Sequence, residues 1–427
     1  MFKKIVLTAV AAAVLATQAP AAQAAANDEL RSELDAIKSQ LKALTDASRQ
    51  QADDAAKART SAESSDGGYV KQLAERVRFG GYGELNYIFR KENGNGKGGN
   101  VFDPHRIVLN VDAPLADWID FKTELEWEHG GVSDEINADN ELSGEVRVEQ
   151  ALVNFKLSDS FNVKAGVMLV PLGSINLYHE PTSFNSSERP QLDQILIPST
   201  WSEMGIGIHG ALGSKADYQL LVVNGLDGSK FSAAKGIRGG RQNYNEDNNH
   251  GKAVTGRLEL RPLTNLYTNL AFYSGDSGKE ASAYTTLAAF DGKYSLGDLE
   301  LSGEYVFVYQ DNPASLGVRD IGHSMSGYWA EAAYHVMPAG WKKGKLANSD
   351  AKLFVRWSEL NTQQGGMVDP ALKSGRYDRN YTTVGITFSP VNNLVVKADF
   401  QFYGDHRAAG EKSLDNDKFQ FSLGFVF

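Results

Sequence analysis

Near the C-terminal end of the chain, Phe419, Phe421, Leu423, Phe425 and Phe427 alternate with Lys418, Gln420, Ser422, Gly424 and Val426. Successive side chains of a β-strand point to opposite faces, so this segment forms a ribbon with one apolar face and one mostly hydrated face. Two environments satisfy such a ribbon. In a soluble sandwich the apolar face meets a core, whereas in a transmembrane barrel it meets lipid and the other face lines a wet lumen.

The same period recurs upstream. Ile107, Leu109 and Val111 oppose Arg106, Val108, Asn110 and Asp112, and Phe121, Leu125 and Trp127 oppose Lys122, Glu124, Glu126 and Glu128. Leu258 and Leu260 oppose Arg257, Glu259 and Arg261; Leu353, Val355 and Trp357 oppose Lys352, Phe354 and Arg356. Val396, Ala398, Phe400 and Phe402 oppose Lys397, Asp399 and Gln401.

Connection lengths separate the two environments. Candidate strands lie near 80–91, 103–112, 118–128, 145–156, 161–169, 201–210, 216–224 and 252–262. More follow near 265–273, 284–295, 298–309, 325–337, 350–359, 380–389, 393–403 and 417–427. Long connections such as 91–102, 129–144, 170–200 and 225–251 alternate with short turns such as Ala113–Asp117, Ser158–Ser160, Pro262–Thr264 and Pro390–Asn392. One turn on the short side, Met337–Ser349, is longer and carries Lys342, Lys343 and Lys345. Short turns at one end and long loops at the other are the mark of outer-membrane barrels. The expected fold is all-β: an antiparallel transmembrane β-barrel of about sixteen strands, spanning 79–427. A barrel of that size encloses an aqueous channel, whereas eight strands fill their own interior.

Three segments precede the barrel. Lys3 and Lys4, the apolar run Ile5–Ala16 and the Ala22-Gln23-Ala24 site predict a secretory signal peptide over 1–24. Leu30, Leu34, Ile37, Leu41 and Leu44 then form an a/d seam flanked by Arg31, Glu33, Lys38 and Lys42, which predicts a periplasmic coiled-coil helix over 27–50. Roughly two heptads hold together only if something else gathers the chains, which points to a homotrimeric barrel; the alternative is an amphipathic helix that folds back on its own domain or forms only in part. Residues 51–78 read as an Ala-, Ser-, Asp- and Gly-rich linker.

Composition narrows the partners. Glycine is frequent at 42 residues and aromatics reach 10%, yet mean hydropathy is -0.35, as expected when only alternate residues face lipid. The net charge of -10 argues against nucleic acid. The absence of cysteine excludes disulfides, thiolate metal sites and covalent haem. The expected partners are outer-membrane lipid and small polar or charged solutes; no cofactor or structural metal is expected.

Several stretches resemble, in order, the phosphate-selective porin O/P family and the DcaP-like porins with an N-terminal coiled coil. They are Phe79-Gly80-Gly81-Tyr82-Gly83-Glu84-Leu85, Asp103-Pro104-His105-Arg106, Glu149-Gln150-Ala151, and the 166–210 region with Pro171-Leu172-Gly173 and Arg189-Pro190. A terminal Phe427 closing an alternating strand also resembles the C-terminal signature of bacterial outer-membrane proteins. The resemblance implies a trimer of sixteen-stranded barrels in the outer membrane of a Gram-negative bacterium, each narrowed by a loop folded inward. It does not carry phosphate selectivity, because no comparable run of arginines falls on the inward phase. That phase mixes Arg106, Lys122, Arg147, Lys164, Arg257, Arg261, Lys352, Arg356 and Lys397 with Glu124, Glu126, Glu128, Glu149, Glu259, Glu304 and Asp399.

The expected constriction is the third long connection. It is punctuated by Pro171, Pro181, Pro190 and Pro198, and carries Ile175, Leu177, Phe184, Leu192, Ile195 and Leu196. Those apolar residues fit a loop packed inside the wall, leaving Glu180, Glu188, Arg189 and Asp193 to face the channel. The competing arrangement is an outer loop packed on a neighbouring subunit. The acidic triplet Glu124, Glu126 and Glu128 is placed opposite Arg147 and Lys164, a transverse charge separation that would orient solutes; alternatively these charges only keep the lumen wet.

Other motifs carry less. Gly275-Asp276-Ser277-Gly278 matches a serine-protease nucleophile stretch, but Asp-Ser-Gly is ordinary turn chemistry and no histidine motif accompanies it. Gly205-Ile206-Gly207-Ile208-His209-Gly210 matches G-x-G-x-x-G but lies in a strand and opens no helix. Asn243, Asn245, Glu246, Asp247, Asn248 and Asn249 cluster in the fourth long connection without EF-hand spacing; a solvated outer loop is the favoured reading, and whether they bind calcium stays open. The functional expectation is passive diffusion of small polar or charged solutes, with no catalytic residues. An outer-membrane barrel enzyme or a structural envelope tether are the alternatives.

Overall fold

The computed structural model describes residues 76–90, 99–131, 144–243, 251–278, 281–407 and 416–427. The expected signal peptide, coiled coil and all but the end of the linker lie outside the described residues.

Sixteen antiparallel strands close into one barrel. They are β1 (Arg78–Arg90), β2 (Gly99–Ala116), β3 (Ile119–Glu128), β4 (Glu145–Ser158), β5 (Phe161–Leu169), β6 (Ser202–Ala211), β7 (Ala216–Asn224) and β8 (Lys252–Leu263). The second half comprises β9 (Leu266–Asp276), β10 (Tyr284–Leu296), β11 (Leu299–Gln310), β12 (Gly322–His335), β13 (Asp350–Met367), β14 (Asp378–Val391), β15 (Leu394–Asp405) and β16 (Lys418–Val426). Each strand pairs with its neighbours in chain order, and β1 closes on β16 with Tyr82 opposite Val426 and Arg90 opposite Lys418. At the seam, the Gly81 amide donates to the Phe427 carbonyl at 3.0 Å and the Phe427 amide donates back at 2.9 Å. No backbone edge remains, which is the condition for β-structure to cross lipid.

The expected strand number and the alternation of short and long ends hold. Turns 117–118, 159–160, 264–265, 297–298 and 392–393 lie at one end, with the longer 336–349 as the foreseen exception. Two strands run well past their expected bounds. β2 continues through Pro104 and Pro114 because the register shifts at both places, so the missing N–H groups fall where the ladder is already interrupted. β13 reaches Met367 across shifts opposite Gly322 and Ser324, with Gly365 and Gly366 supplying left-handed backbone at φ 70° and 82°.

The two faces differ as the alternation requires. Ile107, Leu270, Phe290, Leu353, Val355 and Phe402 are exposed on the outer wall, where lipid would cover them. Arg106, Glu126, Arg257, Arg356, Lys397 and Gln420 are buried on the inner wall. The apolar core lies inside the barrel: Leu172, Leu192, Leu196, Ile197 and Trp201 pack against wall residues Leu221, Tyr273, Val306 and Met325.

Candidate functional site, two loops folded across the lumen

The connection 170–201 enters the barrel and is held on many sides of its wall. Its proline punctuation limits it to two single-turn helices, α1 (Ser174–Leu177) and α2 (Leu192–Ile195). The Ser174 hydroxyl meets Asp291 on β10 and receives Nη2 of Arg257 on β8 at 3.2 Å. His179 lies 3.3 Å from Glu149 on β4 and 3.7 Å from Glu124 on β3. A bulge aims Glu149 inward: Glu124 pairs with Gln150 and Leu125 with Val148, so Glu149 is the extra residue. Burial alone would lower the imidazole pKa of His179, but Glu149 and Glu124 outweigh it and raise it above its usual value.

Farther along the loop, Asn185 donates to Glu331 on β12 at 2.8 Å and the Ser187 amide donates to Asp399 on β15 at 2.6 Å. Lys397 donates to the Ser186 carbonyl at 3.0 Å. Glu188 accepts from Gln420 at 2.7 Å and pairs with Lys418, both on β16. Burial raises the Glu188 carboxyl pKa, yet Lys418 beside it brings it below the ordinary value. Asp193 on α2 and Glu304 on β11 both accept from the Trp329 indole, at 3.1 and 3.2 Å. Burial, with Asp291 nearby, pushes Asp193 up to about 7. The loop therefore spans the lumen.

A second loop folds in on top of it. Within the 225–251 connection, Phe231 and Ile237 are buried, and the Ile237 amide reaches the Ile195 carbonyl at 3.3 Å. Arg238 donates through Nη1 to the carbonyls of Gln194 at 3.3 Å and Ser199 at 2.8 Å. Arg241 does the same to Pro198 at 3.2 Å and Thr200 at 2.8 Å. The far wall completes the contact, with Arg379 on β14 donating to the carbonyls of Ala233 at 2.9 Å and Ala234 at 3.1 Å.

These loops leave two adjoining cavities. One, of about 600 Å³, is lined by Arg90, Arg106, Arg189, Arg238, Lys418, His105 and His129 as well as the acids Glu128 and Glu188. The other, of about 500 Å³, shares Arg238 and adds Lys235, Arg241 and Arg379 with no acidic side chain. Among the described residues no carboxylate pairs with Arg189, Arg238, Arg241 or Arg379 within 4.0 Å; carbonyls and a hydroxyl hold them instead. Among the described residues, buried guanidinium nitrogens of Arg189 (Nε, Nη2), Arg241 (Nε) and Arg379 (Nε) have no hydrogen-bond partner. Burial and the neighbouring charge of Arg238 push the Arg241 pKa well below its usual range. A chain of net charge -10 thus gathers here four guanidinium groups without a carboxylate partner among the described residues.

The residues singled out in the sequence are dispersed by the fold. Arg106 is buried against Glu84 at 2.7 Å. Glu126 is the cross-strand partner of Arg147, whose Nη2 donates to Asn243 at 2.6 Å. Glu124 accepts from Gln150 at 2.5 Å, and Glu128 lines the larger cavity. Lys164 sits away from the triplet, donating to Gln219 at 2.7 Å near the short-turn end. Glu180 faces a small hollow with Arg78 and Phe427 at that same end. Arg261 pairs with Asp217 and Glu259 at the rim and is half-exposed. Arg257 donates to the Tyr267 hydroxyl at 2.7 Å, Arg356 lies 3.4 Å from Glu331, and Lys397 stands 3.9 Å over the Phe184 ring. Arg189 and Glu188 share the larger cavity, while Asp193, on α2, is fully buried.

Sequence reasoning missed Arg238, Arg241 and Arg379. The available cue was Phe231 and Ile237 flanking Arg238-Gly239-Gly240-Arg241 within a connection otherwise read as a solvated outer loop. The weighed motifs resolve structurally. Ser277 accepts from Thr285 at 2.8 Å, and Asp276 accepts from the amides of Gly278 and Ala283, which is turn chemistry. Side chains added at Gly205 or Gly207 would strike the Val222 or Leu220 carbonyl at 2.2 or 2.6 Å, so these glycines permit close strand approach. Asn243 apart, the oxygen-rich cluster lies outside the described residues.

No family model matches the chain. An uncharacterised protein of Aquifex aeolicus (strain VF5) is 26% identical over 378 residues, covering 84% of this chain and 81% of its own length. Among solved structures, the outer-membrane channel DcaP of Acinetobacter baumannii superposes with a TM-score of 0.54 at 11% identity, over 82% of this chain and 97% of that one. OprB of Pseudomonas putida does so at 0.54 and 11%, over 84% and 97%, and the anion-selective porin of Comamonas acidovorans at 0.52 and 12%, over 82% and 99%. By these likenesses the fold is that of the sixteen-stranded outer-membrane porins.

Proposed function

We propose that the chain forms a passive diffusion channel in the outer membrane of a Gram-negative bacterium, narrowed by loops 170–201 and 225–251 and favouring small anionic solutes. The observation that carries this reading is the pair of adjoining cavities in which Arg189, Arg238, Arg241 and Arg379 have no carboxylate partner among the described residues. A guanidinium offers planar paired donors that match carboxylate and phosphate oxygens. In a narrow, partly desolvated passage a few such charges set the sign of the admitted ion. Passage needs no bond making, so the reading assigns no catalytic residue. The side chains named for the constriction divide: Arg189 faces the solute, Glu188 and Asp193 anchor the loop, and Arg106, Arg257, Arg356 and Lys397 support the wall.

The reading includes a homotrimer, supported by the a/d seam over 30–44, with that segment in the periplasm. Single-channel recording of the purified full-length protein tests the channel: discrete conductance steps support it, and their absence from a well-folded preparation overturns it. Native mass spectrometry tests the trimer.

A further inference from the structure

The mouth of the larger cavity carries a cluster that the diffusion reading does not use. Asp103 and His105 lie on β2 and His129 in the turn after β3. Nδ1 of His105 is 3.1 Å from one carboxylate oxygen of Asp103, and Nδ1 of His129 is 2.8 Å from the other. One ligand atom from each of the three residues can be chosen so that all three lie within 4.8 Å of one another. The His129 amide donates to the His105 carbonyl at 3.1 Å, so the backbone holds both rings beside the carboxylate. Both rings also line the 600 Å³ cavity.

We propose that Asp103, His105 and His129 form a binding site for a divalent transition-metal ion at the channel mouth. Two imidazoles and one carboxylate are an N/O set suited to Zn²⁺, Ni²⁺ or Co²⁺ and poorly suited to Ca²⁺, which takes oxygen ligands. An ion bonded at about 2.0–2.1 Å to each atom sets tetrahedral ligands about 3.3 Å apart, so binding draws the two rings, which face different oxygens of Asp103, toward a common point. Each neutral ring moves its proton to Nε2, freeing the Nδ1 lone pair that now faces Asp103. The remaining coordination positions open to the cavity, where Glu128 adds negative charge and Arg106 and Lys418 are offset by Glu84 and Glu188. Arg90, Arg189 and Arg238 oppose a cation there, so affinity rests on the three ligands and not on the field of the cavity. The His129 side chain is 48% exposed, so the cluster is accessible to an ion. This site stands or falls independently of the solute preference.

Calorimetric titration of the untagged full-length protein with Zn²⁺ at pH 8, with Ca²⁺ as comparison, tests it. One Zn²⁺ binds per chain, at least tenfold more weakly after His129→Gln or His105→Gln, and Ca²⁺ does not compete. Absence of saturable binding, binding unaltered by both substitutions, or equal competition by Ca²⁺ overturns the assignment. Co²⁺ absorbance of the wild-type chain reads the site without any substitution. Intense visible bands of a four- or five-coordinate ion support it, and the weak spectrum of hexa-aqua Co²⁺ contradicts it.

Discussion

Nη1 of Arg238 donates to the carbonyl of Ser199 at 2.8 Å, tying the second inward loop to the first. That bond uses part of the guanidinium for structure and leaves its charge in both cavities. Replacing Arg238 and Arg241 together with Gln removes the charge while keeping an amide donor. Anion over cation permeability should fall about fivefold, equivalent to about 1 kcal/mol, as read from reversal potentials. An unchanged ratio would remove these residues from the selectivity argument.

The Ser187 amide has one partner, the buried carboxylate of Asp399. Asp399→Ala leaves that donor unsatisfied, a cost of about 1–3 kcal/mol. Loop 170–201 should then exchange its amide hydrogens at least tenfold faster, while strand amides stay protected. Single-channel current should become noisier.

Two loop anchors share a pH sign. Asp193, raised to about 7, contributes stability that is whole below its unfolded value near 3.8 and is lost as pH rises through about 7. His179, raised by Glu149 and Glu124, holds its charged contact below about pH 6.5 and loses it as pH rises through its folded value. Loop exchange should therefore quicken between pH 6 and 9. Asp193→Asn and His179→Gln should each flatten that dependence.

Gly207 has no room for a side chain, since an added Cβ lies 2.6 Å from the Leu220 carbonyl and 2.1 Å from a Leu221 methyl. Gly207→Val should lower the yield of heat-modifiable folded barrel, whereas Ser302→Val, on the partly buried wall of β11, should not.

The barrel was legible because period-two alternation and connection length are local properties of the chain. Phe419 and Phe421 face outward and Gln420 and Ser422 inward, as the pattern of the last strand required. The inward course of loop 170–201 was legible for a related reason: Leu192, Ile195 and Leu196 need an apolar neighbour, and they find it inside the wall. Which charges remain unpaired was not legible, because pairing depends on contacts between distant segments. Glu84 with Arg106 is a neighbouring-strand pair, but Glu188 with Lys418 spans most of the chain. Glu149 lies inward as its phase required, but its partner His179 sits on a loop 30 residues away and was not foreseen. Arg379 fell just before the expected strand 380–389, which begins two residues earlier at Asp378, and its role is set by a loop that the sequence reading left outside.

The reversal potential of the purified wild-type channel under a tenfold KCl gradient tests the central claim most directly. The account predicts a potential displaced toward the chloride equilibrium value. A potential displaced toward the potassium value would contradict it.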